Sequence, residues 1–415
     1  MRKINLEPQD KLRRIKTAIV MRDNRMSLYD IIKQDESAFS GFRILYASDF
    51  SGTPVQQTFR VNNTNIAVKN IFCGSSFLAY SDEIKKQMLK GKADLQFPLR
   101  MILDTNVLSD LKSFFTDEDC KKKEKIRDTL EFMFINMRKS YDFSFAALEN
   151  VRELSKPGNP WPYEKLIIIK TIEACNTLDE AIEKYASYDG CYPEKLVKEV
   201  DDFWELYSTS KEIIQAFTRR DLVYCLLLKT FINCWNGKGI HQNISDLVDF
   251  CLDNFSLIPV KEIYFSWKIS KGFINPLDRL SIFDEPEFKS AKKNSAGRVS
   301  ALAWDLFMFR WCETLMTETK GSTFFIPAIT TFDNTFSQAF DLCSLRAIIF
   351  NEKYGLVDTV FDDEREFQIY FNESLSEHQF ARIQDPSRRS SKPYVSKMQL
   401  SKLIYELEGS IKNMC

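Results

Sequence analysis

Apolar positions along this chain fall into two patterns, short runs that end in a carboxylate and long stretches with helical spacing. The clearest short run is Met101–Ser109, Met-Ile-Leu-Asp-Thr-Asn-Val-Leu-Ser. Three apolar residues, one acid, a small polar pair and a second apolar pair predict a buried strand that turns into a helix, with Asp104 at the strand's carboxyl end. Thr323–Asp333 repeats the plan: Phe324, Phe325, Ile326, Ala328, Ile329 and Phe332 lead to Asp333, and Asn334, Thr335 and Phe336 open a helix running towards Phe350. Tyr141–Val151 predicts a short strand breaking into a helix at about Ala146, which puts Glu149 in that helix's first turn.

The helical spacing is most extended after Pro157-Gly158-Asn159-Pro160-Trp161-Pro162, the strongest break in the chain. Phe203–Tyr207, Ile213–Phe217, Leu222–Trp235 and Leu247–Phe255 all carry it, and Asn236-Gly237-Lys238-Gly239 reads as a helix-ending turn. Earlier, Ile126, Leu130, Met133, Phe134 and Met137 predict a helix within Cys120–Arg138. Its first turn carries Lys121, Lys122 and Lys123, opposing the macrodipole and hinting at an anion-facing role. Val299–Thr317 is apolar nearly all round and contains Asp305, whose helical neighbours Ala301, Met308, Phe309 and Cys312 offer no counter-charge. A carboxylate buried there needs a proton, a metal, or a cation such as Arg298 or Arg346. Near the start, Leu12, Ile15, Ile19 and Val20 line one helix side, and Gln57–Arg60 with Ile66–Phe72 suggest a β-hairpin across Asn62–Asn65. These patterns divide the chain into an α+β extension (1–97), core pieces at 98–155 and 291–350 around a helical insertion (156–290), and a C-terminal extension (351–415).

Composition narrows the class. The 415 residues are 44% hydrophobic with 34 Phe and 6 Trp, which argues for a packed core, and 13 Gly with 13 Pro leave few breakers. Fifty-seven basic against 58 acidic side chains give a net charge of −1, so nucleic-acid binding has to come from local patches. Lys292, Lys293 and Arg298 form one candidate patch, and Arg382–Lys397, with Arg388, Arg389 and Lys392, is a loop or a second. Ten Cys without a CxxC pair and only two His exclude zinc-finger spacing and suggest reduced thiols of a cytoplasmic protein. No run of 18 apolar residues and no apolar leader after Met1 predict neither membrane span nor secretion.

Taken singly, Asp104 and Asp333 fit helix caps and Glu149 fits an ordinary first-turn acid. Together with Asp305 they could all reach the carboxyl edge of one parallel sheet, where ligands of open α/β sheets bind. Clustered carboxylates raise one another's pKa unless cations hold them. Oxygen-only donors favour Mg²⁺ or Mn²⁺, and a pair of such ions about 4 Å apart is an apparatus for phosphodiester hydrolysis.

In Ile102-Leu103-Asp104-Thr105-Asn106, Ser144-Phe145-Ala146-Ala147-Leu148-Glu149, Ala303-Trp304-Asp305 and Thr331-Phe332-Asp333-Asn334-Thr335-Phe336, the chain resembles the PIN-domain ribonucleases. The resemblance implies a three-layer α/β/α fold with a parallel sheet and Mg²⁺- or Mn²⁺-dependent cleavage of single-stranded or structured RNA by a metal-activated water. It makes Asp104, Glu149, Asp305 and Asp333 candidate metal ligands, with Thr105, Asn106 and Thr331 beside them. It also suggests a bacterial toxin or phage-defence setting and a regulatory protein partner. The interval between Glu149 and Asp305 far exceeds that of a compact PIN domain, which implies a large helical insertion and leaves Asp201, Asp202, Asp278 and Glu313 as alternative acids. Two further readings stand beside this one. The first is a catalytically inactive PIN-like scaffold for RNA or protein. The second, an aspartyl phosphatase, is weakened because no second Asp stands two residues after Asp104.

Overall fold

The computed structural model describes residues 7–22, 28–48, 66–74, 76–116, 120, 122–135, 140–154, 156, 159–255, 257–275, 286–333, 343–351, 353–385 and 395–415. The proposed hairpin's first strand and turn, Lys121, Asp278, the start of the helix expected after Asp333, and Arg388, Arg389 and Lys392 lie outside them; where the rest of that helix was expected, Leu345–Asn351 form a β-strand instead, an apolar run buried on both faces. The chain forms two units, one of residues 1–213, 311–340 and 344–362, the other of 214–310, 341–343 and 363–415.

The first unit is α/β, and its described residues form two four-stranded sheets. Strands β1 (Arg43–Ser48), β3 (Ser76–Tyr80), β7 (Leu345–Asn351) and β8 (Leu356–Phe361) form an antiparallel sheet in the order β3-β1-β7-β8. Helices α1 (Pro8–Val20), α2 (Leu28–Gln34) and α3 (Glu36–Phe39) bury Ile15, Ile19, Ile31 and Phe39 in a core shared with Ile44, Tyr46 and Ile349 of that sheet. The apolar side expected of the first helix is thus the side that packs.

The second sheet is mixed, in the order β2-β6-β4-β5, from Val68–Asn70, Ile326–Thr330, Leu99–Leu103 and Tyr141–Asp142. Strand β4 runs parallel to both β5 and β6, with Ile102 beside Ile329, whereas β2 closes the edge antiparallel to β6. Ile102 and Ile329 are fully buried, which accounts for a continuous apolar run in place of alternation. Residues 1–97 thus supply two strands of one sheet and an edge strand of the other.

Strand β4 leads into α5 (Thr105–Phe115), α6 (Lys123–Ile135) and then β5, after which come α7 (Ser144–Asn150), α8 (Trp161–Glu173), α9 (Leu178–Ala186) and α10 (Glu194–Thr209). Met101 and Leu103 share one core with Val107, Leu111, Ile126, Ala147 and Ile168 of these helices. A helix α4 (Asp82–Leu89) follows β3, capped by Ser81, whose Oγ accepts the Ile84 N–H.

The second unit is helical: α11 (Lys211–Trp235), α12 (Ile240–Asn254), α13 (Val260–Ile274), α14 (Pro286–Lys289), the greater part of α15 (Ser295–Met316), α16 (Glu364–Ser374), α17 (Glu377–Gln384) and α18 (Lys397–Met414). Leu226, Leu247, Cys251, Leu400 and Leu403 form one of its cores. The expected helix-ending turn follows α11, where Gly237 has φ +75° and Lys238 N–H donates to Asn233 O at 3.1 Å. All ten cysteines are free thiols, and among the described residues no helix is long and apolar enough to cross a membrane.

Candidate active site

The chain leaves β4 towards β5 and returns on β4's other side as β6, so the strand order reverses between β4 and β6. At such a reversal the carboxyl ends of neighbouring strands open a crevice. Asp104 stands there, only 5% exposed, with its N–H donating to Thr330 O across the strands at 3.1 Å.

Each carboxylate oxygen of Asp104 has a defined donor. Oδ1 accepts the Thr105 N–H at 2.7 Å, opening α5, and Oδ2 accepts the Thr331 hydroxyl at 3.0 Å. The capping role is therefore real, but it does not exhaust the residue. Burial, with Glu149 and then Asp333 contributing like charge, pushes Asp104 up to about 7, against the opposing pull of the two hydrogen bonds. Thr331 ties two of the expected acids together, because its Oγ1 also accepts the Asp333 N–H at 3.1 Å. Lys122 reaches the same edge and donates to Phe332 O at 3.1 Å.

Glu149 is not a first-turn acid. Helix α7 begins at Ser144, two residues ahead of the expected break, because Asp142 Oδ1 accepts the Ser144 N–H at 2.7 Å and also its hydroxyl. Glu149 therefore lies in the last turn, where the macrodipole disfavours a carboxylate, so the ordinary structural explanation for it fails. It lines an open cleft of about 400 Å³ with Thr105, Asn150, Glu153, Asn159 and Lys165.

Lys165 is the residue that the sequence reading missed. It is 6% exposed on α8 and donates to Asn150 Oδ1 at 3.3 Å, while Asn150 Nδ2 donates to Ala146 O at 2.6 Å. Burial lowers its pKa, whereas the charges of Glu149 and Glu153 raise it. The available signal was a lysine opening the apolar run Leu166-Ile167-Ile168-Ile169, a position with little room to reach water.

The remaining candidates lie elsewhere. Asp305 is on α15 within the second unit and is half-buried, so it is not the enclosed carboxylate expected from its neighbours. Arg346, one expected partner for it, pairs with Asp362 in the first unit. Lys292, Lys293 and Arg298 are exposed at the start of α15. Asn106 is exposed on α5, and Asp201 and Asp202 are exposed on α10. Glu313 is buried and accepts the Thr359 hydroxyl at 2.7 Å.

Among the described residues, no three of His, Cys, Asp and Glu stand close enough to form a ready-made metal cage. The donor chemistry nonetheless suits a hard cation: an all-oxygen set, a buried carboxylate whose pKa burial and neighbouring acids raise, and an enclosed Thr105 Oγ1 with no hydrogen-bond partner among the described residues. No family model, curated protein or solved structure matches the chain.

Proposed function

We propose that the chain is a metal-dependent nuclease of PIN type that hydrolyses RNA phosphodiesters at the carboxyl edge of β6-β4-β5, within a three-layer PIN-like domain. The observation that carries this reading is Asp104, buried at the strand-order reversal and pushed up to about 7 by burial and by the charges of Glu149 and Asp333. Asp104, Asp333 and Glu149 would hold Mg²⁺ or Mn²⁺, with Thr331 and Thr105 fixing the two oxygens of Asp104. A bound ion of this kind supplies Lewis acidity to the phosphate and lowers the pKa of its water. Lys122 and Lys165 are the cations of the first unit beside this edge, which an RNA backbone, being polyanionic, would meet. Asp305 joins the ligand set only through the motif resemblance, which also suggests the cytoplasmic defence setting and a regulatory protein partner.

The test is cleavage of single-stranded RNA and DNA by the purified chain with Mn²⁺, Mg²⁺ or EDTA, beside Asp104→Asn. We expect cutting of RNA that needs the metal and falls at least 100-fold in the variant, in the range for loss of a main electrostatic group. Cutting retained in Asp104→Asn removes this site from the reaction.

A second reading, a PIN-like scaffold that binds RNA or protein without chemistry, is favoured by the lack of a preformed three-residue cage among the described residues. RNA binding by folded protein with no cutting under any metal condition selects it.

A further inference from the structure

Helix α4 is fixed at its start and bare at its end. Ser81 caps it, Asp82 Oδ2 accepts the Gly41 N–H at 2.8 Å, and Lys85 pairs with Glu36. The turn after it is closed by the backbone. Gly91 takes φ +81°, its N–H donates to Met88 O at 3.0 Å, and Lys92 N–H donates to Gln87 O at 3.2 Å. Gln87 Oε1 then accepts the Asp94 N–H at 3.1 Å. This ordered turn holds Met88 and Leu89 out in water, 51% and 79% exposed. Lys86, Lys90 and Lys92 stand exposed around them, and none of the three pairs with a described carboxylate.

Lysines near a helix C-terminus are favoured by the macrodipole, so the fold accounts for their presence. It does not account for two adjacent large apolar side chains held in water, and exposure of that kind marks a contact surface. The turn projects into open space, with nothing within 4 Å of the place a Cβ at Gly91 would take. A projecting apolar tip suits a lipid surface, which yields around it, whereas a protein partner would need a matching hollow. The lysines select the headgroup, because interfacial binding joins buried apolar area to the attraction of basic side chains for anionic lipids.

We propose that the α4 tip, Met88 and Leu89 among Lys86, Lys90 and Lys92, docks the first unit onto the surface of an anionic lipid bilayer, placing two apolar side chains among the headgroups without crossing the membrane. The chain runs from this tip into the amino end of β4, and Asp104 follows the strand's carboxyl end, so docking does not require the candidate active site to face the bilayer. Docking at α4 is independent of the nuclease reading.

The experiment floats the full chain through a density gradient with vesicles of phosphatidylcholine alone, or of phosphatidylcholine mixed equally with phosphatidylglycerol. The wild type should rise with the mixed vesicles, stay behind with the neutral ones, and be released by added salt. Partition should fall roughly 5-fold in Lys90→Gln, the effect of one basic group at an anionic surface. It should fall at least about 10-fold in the double variant Met88→Ser/Leu89→Ser, whose tip no longer removes apolar area from water. These side chains are exposed, so the variants should melt as the wild type does. No rise with mixed vesicles, an equal rise with neutral ones, or unchanged partition in the double variant overturns the docking. A wild-type dimer in sedimentation equilibrium that the double variant dissociates, without flotation, overturns it too and gives the tip to a second copy of this chain.

Discussion

Asp104 links stability to pH in a direction opposite to that of a salt-bridged acid. An unfolded aspartate titrates near 4, whereas burial with the charges of Glu149 and Asp333 holds this one at about 7. The folded chain therefore binds its proton more tightly than the unfolded chain, and stability is lost as pH rises from about 4 through 7. Asp104→Asn keeps one acceptor oxygen, enough for the Thr105 N–H, and turns an amide NH2 donor towards the Thr331 hydroxyl, while removing the charge. In metal-free buffer we expect its melting temperature to exceed that of the wild type at pH 8, with the gain gone by pH 5. Added Mn²⁺ should raise the wild-type value at pH 8 and leave the variant unmoved. A variant less stable than the wild type at pH 8 would mean that Asp104 is mainly a helix cap whose charge the fold needs.

Among the elements, those that hold the site differ in how legible they were. Strands β4 and β6 could be read because both faces of each are buried, so an unbroken apolar run ending in Asp104 or Asp333 had few alternatives. Helix α7 was misplaced because its start is set by Asp142, an acid ahead of the helix, and not by the apolar period that begins later. Ile213–Phe217 and Leu222–Trp235 merge into the single α11 for a related reason. The charged stretch between them contains Arg220, which is 2% exposed, donates to Ser300 O at 2.8 Å and stacks on Trp304. Polarity in the sequence there marks a buried anchor within one continuous helix. Lys165 escaped notice in the same way, since burial of a cation has no period of its own. The role of Asp142 is testable: Asp142→Ala removes the acceptor for the Ser144 N–H, and one such hydrogen bond contributes about 0.5–1.5 kcal/mol. Amide exchange over residues 144–150 should accelerate, and because α7 carries Glu149, Mn²⁺ affinity should weaken with it. Unchanged exchange would show that Trp311, whose Nε1 donates to Ser144 Oγ at 3.2 Å, and the surrounding core hold the helix start without the acid.

For the whole molecule, the consequence concerns residues 1–97, which read in sequence as an extension free of chemical motif. Their strands are structural parts of the first unit. Strand β2 supplies the antiparallel partner of β6, with Val68 beside Thr330, and the N–H of Thr331, the threonine whose hydroxyl holds Asp104, donates to Ala67 O at 3.0 Å. Strand β1 is an inner strand of the other sheet, bonded to β3 on one side and β7 on the other. A chain beginning at residue 98 would leave β7 and β6 with open edges and uncover the apolar faces that Ile44, Tyr46 and Ile15 now fill. Unpaired edges over exposed apolar surface favour aggregation. We expect that chain to be insoluble, or soluble without a cooperative urea transition for the first unit, and to have lost any Mn²⁺ site because Thr331 is no longer tied to its edge strand. A cooperative transition with Mn²⁺ binding retained would show that the β6-β4-β5 sheet and its helices stand alone. The first 97 residues would then be free to serve a partner or a substrate instead of the fold.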